Sequence, residues 1–255
     1  MSLRRQTEIL QAVRRAGSSS IVELAEKLDV STETIRRNIK PLVEQGSVVR
    51  FHGGIMKPDH LEEPPFARRM SVHEEGKRAV AELVAKSIQD GDSIILDNGT
   101  TTAYVAEALA HHSQLVVVTN SAEIACRLAS RNGNRVFMAG GELSGEDASA
   151  FGPGSIEFVR QFKVRYAVMS MGGINTNGDL TDFHLFEAEF SRAAMNQADE
   201  TWFIADSTKF GRKAPVRVCE LSDIDVLITD KEPVVEYLRR CKEADVKLIT
   251  PENIR

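Results

Sequence analysis

Two things are scarce in this 255-residue chain: long apolar runs and cysteine. No hydrophobic stretch approaches the roughly 20 residues that a helix needs to cross a bilayer. Cysteine occurs only at Cys126, Cys219 and Cys241. An odd number of widely separated thiols argues against a disulfide framework or a zinc knuckle and fits a reducing compartment. The histidines share no ligand spacing with these thiols, and His111-His112 at a helix end reads as solvated or as a C-terminal cap. No metal and no cofactor is therefore expected. The opening residues Met1-Ser2-Leu3-Arg4-Arg5 lead into no apolar signal region, and there are no internal repeats or low-complexity tracts. These absences predict a cytoplasmic protein without a membrane partner.

Charge is unevenly spread. Residues 1–57 hold ten Lys or Arg against six Asp or Glu, a net of +4, and the remainder holds 22 against 31, a net of −9. A basic end suits a polyanion, and an acidic body is repelled by one. The length also exceeds the usual single domain. Around 57–65 the prolines Pro58, Pro64 and Pro65 prevent helix or central strand. The expected organisation is a DNA-binding domain over 1–57, a linker over 58–73 and a larger domain over 74–255.

Within the basic end, Ser20-Ile21-Val22-Glu23 has the form of a capping box. The apolar positions Ile21, Leu24, Ala25 and Leu28 then recur at helical spacing. Asp29-Val30-Ser31 supplies a tight turn and a new N-cap, so a second helix starts at Thr32. A first helix over 4–15 contributes Ile9, Leu10 and Val13 as a third wall, and Ile35, Ile39, Leu42 and Val43 face inward from the second helix of the pair. Its outer face offers Ser31, Thr32, Thr34, Arg36, Arg37 and Asn38, the hydroxyl, guanidinium and amide groups that read base edges in a major groove. Residues 47–54 read as a two-strand wing, with Arg50 and His52 reaching phosphate. Pro41 removes the hydrogen bond to the Arg37 carbonyl, and a kink or break is expected after Lys40.

Beyond the prolines, short apolar strands alternate with helices. Strands are expected at 93–97, 115–119, 135–139, 166–170, 202–205, 226–229 and 246–249, with helices over 74–89, 102–110 and 122–130 between the earlier ones. This is the pattern of a mostly parallel sheet covered by helices on both faces. Ligands of such sheets bind beyond the carboxyl ends of the strands. Those ends are small and polar here. Asp97-Asn98-Gly99-Thr100-Thr101-Thr102 is a glycine turn entering a helix N-terminus, where amides, hydroxyls and the helix dipole suit an anion. It is neither a Walker A loop nor a dinucleotide fingerprint. Other strand ends supply Asn120 and Ser121, Gly140 and Gly141, and the Asp206-Ser207-Thr208-Lys209 turn, in which Lys209 is placed to meet an anionic substituent.

The segments Ile35-Arg36-Arg37-Asn38, Glu44-Gln45-Gly46 and Arg50-Phe51-His52-Gly53-Gly54 resemble the DNA-binding signature of the DeoR family of bacterial regulators, in its GlpR-like branch. The segments around Asp97–Thr101, Thr119-Asn120-Ser121, Ala139-Gly140-Gly141-Glu142 and Ala205-Asp206-Ser207-Thr208-Lys209-Phe210-Gly211 extend the resemblance through most of the chain. It implies an effector domain similar in fold to sugar-phosphate isomerases. In it, Asp97, Asn98, Gly99, Thr100, Thr101 and Thr102 hold a phosphate, and Asn120, Gly140, Gly141 and Lys209 close around the rest. The family usually has Asp where this chain has Asn38, a change that either reorients the arginines or adds a base contact. Where the isomerases read Gly-Ala-Asp, this chain reads Gly172-Gly173-Ile174 and lacks that carboxylate.

The missing carboxylate favours ligand sensing over catalysis, since acid–base chemistry needs such a group beside the phosphate. The expectation is a repressor of a carbohydrate or polyol operon, acting as a homo-oligomer, dimer or tetramer, on double-stranded operator DNA. A phosphorylated sugar or polyol releases it, with glycerol 3-phosphate first among the candidates that the resemblance suggests. The competing readings are a sugar-phosphate enzyme with an appended DNA-binding module and a structural DNA-binding protein. The acidic body and its polar strand ends count against the second of these.

Overall fold

A computed structural model describes residues 2–16, 18–44, 48–51, 53–56 and 63–253, and the chain divides into two units, Met1–Pro64 and Pro65–Arg255. In the first unit α1 (Ser2–Ala16) is followed by β1 (Ser18–Ser20), α2 (Ile21–Lys27), α3 (Thr32–Glu44), β2 (Val49–Phe51) and β3 (Gly54–Met56). Ser20 starts α2 through a complete capping box: its hydroxyl accepts the Glu23 amide at 3.0 Å, and its own amide donates to Glu23 Oε2 at 2.8 Å. Such a cap is worth about 1 kcal/mol. Asp29 takes a left-handed turn at φ 50°, and the Ser31 hydroxyl accepts the Thr34 amide at 3.2 Å to open α3.

Ile9, Val13, Leu24, Ile35, Ile39, Leu42 and Ile55 are all buried in one core. The break expected at Pro41 is absent, since α3 continues to Glu44. Ile39 and Leu42 on either side of the proline are anchored in the core and hold the last turn in place. The wing is larger than its sequence suggests. β3 pairs antiparallel with β2 on one side and with β1 on the other, so the serine segment before α2 becomes a sheet edge. The Ile21 amide donates to the Gly53 carbonyl at 2.8 Å, which ties the start of α2 to the wing.

The second unit opens with α4 (Phe66–Ser71) and α5 (Glu74–Ser87), so part of the expected linker is helical; the Tyr104 hydroxyl donates to the Met70 carbonyl at its end. There follow β4 (Ser93–Leu96), α6 (Thr100–Ala108), β5 (Val116–Thr119), α7 (Ala122–Ala129), β6 (Arg135–Met138) and α8 (Pro153–Val159). The second half comprises β7 (Val164–Met169), β8 (Gly173–Ile174), β9 (Leu180–Asp182), α9 (Leu185–Met195), β10 (Ala198–Ala205), β11 (Val216–Cys219), β12 (Val226–Thr229), α10 (Val235–Glu243) and β13 (Lys247–Ile249).

Seven strands form one sheet in the order β13-β12-β10-β7-β4-β5-β6, and every neighbouring pair is parallel. Alternate residues along a strand enter opposite cores. Ile95 and Val118 pack with Ala167 and Phe203 on one face, and Ile94, Leu96 and Val117 with Val168 and Ile204 on the other. The chain winds outward from β4 through β5 to β6, then resumes at β7 on β4's other side. The order therefore reverses between β4 and β7, which is where a crevice opens at the carboxyl ends of a doubly wound sheet. β8, β9 and β11 form a separate antiparallel sheet that the sequence pattern did not reveal.

Candidate effector site and nucleic-acid interface

The reversal point holds the Asp97 loop. Asp97 directly follows β4 and is buried, with all of its acceptor capacity turned inward. Its Oδ1 takes the Gly99 amide at 3.1 Å and the Thr102 hydroxyl at 2.7 Å, and its Oδ2 takes the Ser170 amide at 2.6 Å and the Ser170 hydroxyl at 2.9 Å. Burial pushes this carboxyl above the usual carboxylate range, and the four donors oppose that shift. Asp97 is thus a brace joining the ends of β4 and β7. Thr102 belongs to the same brace: its buried hydroxyl also faces the Asp97 and Gly99 carbonyls, at 3.2 and 2.8 Å. That hydroxyl is occupied within the loop, contrary to the expectation of a ligand contact there.

Thr100 and Thr101 differ from Thr102. Both are buried at the N-terminus of α6, no side chain caps that terminus, and neither hydroxyl makes a hydrogen bond among the described residues. The backbone can come this close to β7 only because residue 99 is glycine; a Cβ there would lie 1.9 Å from Ser170 Oγ. The result is a short row of amides and hydroxyls at the positive end of a helix.

Around this row the strand ends are tied together by contacts far apart in sequence. The Asn98 amide donates to Asp147 Oδ2 at 2.7 Å and to Glu187 Oε1 at 3.5 Å. Neither carboxylate was placed there by sequence reasoning, since they lie 49 and 89 positions along the chain from Asn98 and nothing local marks them. Asn120, wholly buried after β5, donates its amide to the Ala150 carbonyl at 3.2 Å, and its Oδ1 has no partner among the described residues. Ser121 caps α7 by accepting the Ile124 amide at 3.4 Å. Gly140 accepts the Ser155 hydroxyl at 3.0 Å; no side-chain atom lies within 4 Å of where a Cβ would stand on it. Lys209 is buried in the turn after β10, its amide bonded to the Asp206 carbonyl at 3.0 Å. That turn and the Asp97 loop flank the end of β7 from either side.

In the first unit, Ser31 is exposed at the cap of α3, Arg36, Arg37 and Lys40 are exposed along the helix, and Thr32 and Thr34 are half-buried. Ser31 and Thr34 share a hydroxyl contact of 2.9 Å at the cap. Arg36 lies 3.5 Å from Glu33, an exposed pair worth well under ~1 kcal/mol that leaves the guanidinium available. Arg50 is exposed on β2, and His52 lies outside the described residues. Asn38 corrects the sequence reading. It is 6% exposed, and its amide donates to the Thr34 carbonyl one turn back at 2.8 Å, so it braces α3 from within and does not face a groove.

A helix-turn-helix unit followed by a larger parallel α/β unit is the build of a DNA-binding transcriptional regulator. Residues 5–60 match the DeoR-like helix-turn-helix domain and residues 72–231 the DeoR C terminal sensor domain, and the chain belongs to the DeoR family. It is 33% identical to the glycerol-3-phosphate regulon repressor of Escherichia coli (strain K12), over 96% of this chain and 97% of that one. It is 36% identical to the glycerol-3-phosphate regulon repressor of Haemophilus influenzae, over 97% and 96%. The HTH-type transcriptional repressor CsqR of Escherichia coli (strain K12) is 34% identical, over 97% and 95%. Among solved structures, ribose 5-phosphate isomerase A of Methanocaldococcus jannaschii is 15% identical with a TM-score of 0.39, covering 54% of each chain. Among the described residues no helix is long and apolar enough to cross a membrane.

Proposed function

We propose that this regulator is a repressor of a carbohydrate or polyol operon whose hold on its operator is released by a phosphorylated sugar or polyol, with glycerol 3-phosphate the first candidate. The observation that carries the reading is the N-terminus of α6, where Thr100 and Thr101 are buried residues whose hydroxyls make no hydrogen bond among the described residues, beside amides that no side chain caps. A phosphate supplies the acceptors that these donors lack. The names of the relatives support the choice of glycerol 3-phosphate.

Sensing is favoured over catalysis because the two strand-end carboxylates, Asp97 and Asp206, are already engaged. Asp97 receives four donors, and Asp206 caps its own turn by accepting the Thr208 amide at 2.9 Å. Neither is presented as an acid or base. A sensor needs only an effector that binds one arrangement of the protein better than another. A homo-oligomer, dimer or tetramer, reading repeated half-sites follows from the small surface of a single winged helix.

The test is a fluorescence-anisotropy titration of operator-bound protein with glycerol 3-phosphate, fructose 6-phosphate and ribose 5-phosphate. Release by one of them at micromolar to millimolar concentration is expected. If all three leave the complex intact, the effector reading fails; sedimentation of the free protein as a monomer removes the half-site reading.

A further inference from the structure

The turn that carries Lys209 is held by two buried carboxylates from different strands. Asp206, after β10, accepts the Thr208 amide at 2.9 Å. Asp230, after β12, accepts the Ser207 amide at 2.5 Å and the Ser207 hydroxyl at 3.2 Å. Between these carboxylates stands the imidazole of His73, with Nδ1 3.6 Å from Asp206 and Nε2 3.9 Å from Asp230.

Two features show that the placement of this ring is specific. His73 adopts a left-handed backbone at φ 54°, which is unfavourable for a residue with a Cβ and aims its side chain back over the first turn of α5. Residue 76, directly beneath it, is glycine, and a Cβ there would lie 2.1 Å from the ring nitrogen. Nδ1 is buried and makes no hydrogen bond among the described residues, and its distance to Asp206 exceeds a normal N–H···O length by only a few tenths of an ångström.

We infer that His73 is a positioning residue for the effector site: its ring, seated between Asp206 and Asp230, sets where the Ser207–Lys209 turn presents Lys209. This inference rests on the phosphate reading of the site. It also gives the segment that joins α4 to α5 a direct connection to that site.

The experiment is a double-mutant cycle on the full chain by isothermal titration calorimetry. The probes are glycerol 3-phosphate, fructose 6-phosphate, ribose 5-phosphate and inorganic phosphate. His73→Ala should weaken the tightest wild-type probe about tenfold, and Gly76→Ala, whose Cβ would displace the ring and stand 3.0 Å from Asp230 Oδ2, should do the same. The double variant His73→Ala/Lys209→Met should bind no more weakly than Lys209→Met alone, because both changes act through one turn. Losses that add independently would make His73 a purely structural residue and overturn the inference, as would full affinity in His73→Ala. Should His73→Ala not fold, His73→Asn takes its place in the cycle. If Lys209→Met binds as wild type does while Thr100→Val/Thr101→Val does not, the inference fails and the phosphate reading stands. If wild type binds none of the four probes, both fail.

Discussion

Ser170 gives both its backbone amide and its hydroxyl to a single oxygen of Asp97, at 2.6 and 2.9 Å. The ends of β4 and β7, the strands that part at the crevice, are closed on each other by this one side chain. Asp97→Asn turns half of the acceptor into a donor and leaves at least one buried N–H or O–H unpaired. We expect a loss of about 1–3 kcal/mol in stability, read from urea unfolding of the full chain. An unchanged midpoint would mean that the brace contributes nothing.

The three consecutive threonines separate by role. Thr100→Val together with Thr101→Val should lower effector affinity by about tenfold or more and leave thermal stability and operator affinity near wild type, since two unbonded hydroxyls are removed. Thr102→Val should lower the melting temperature, because its hydroxyl is bonded to Asp97 at 2.7 Å. Calorimetry and differential scanning on the same preparations check both halves; exchanged phenotypes would reverse the assignment.

On α3, Arg36→Ala and Arg37→Ala should each abolish specific operator binding with the fold intact, as judged by circular dichroism and gel-shift titration. Asn38→Ala should cost about 1 kcal/mol of stability, the worth of one helix-bracing hydrogen bond, and leave the base preference unchanged. A relaxed preference in a base-substituted operator panel would put Asn38 back in the groove.

The thiols should differ in reactivity. Burial pushes Cys219 up to about 12 and Cys241 up to about 11, and Cys126 is exposed. A chromogenic disulfide reagent at neutral pH should therefore titrate one thiol per native chain and three after denaturation. Two fast-reacting thiols in the native protein would contradict the packing around α10 or β11.

Much of the fold was legible because its strands are short runs of β-branched residues, such as Val116-Val117-Val118, that suit only a sheet covered on both faces. The Ser20 capping box was equally plain. β1 was not, since Ser18-Ser19-Ser20 has no strand propensity and pairs only because β3 offers it an edge. Asn38 was misread although a local signal existed. Ile35, Asn38, Ile39 and Leu42 fall at i, i+3, i+4 and i+7, the buried stripe, so its position outweighed its chemistry. In the candidate effector site the glycine turn and threonines stand in local sequence. Ser170, Asp147, Glu187 and His73 come from elsewhere in the chain, and only the strand order brings them in.

The bond from the Ile21 amide to the Gly53 carbonyl bears on how this protein searches a genome. It ties the start of α2 to the wing that carries Arg50, and α2 shares its core with α3, which carries Arg36 and Arg37. Under the proposed contacts of these three arginines with DNA, the shape of the groove joins its base sequence in what the unit can read.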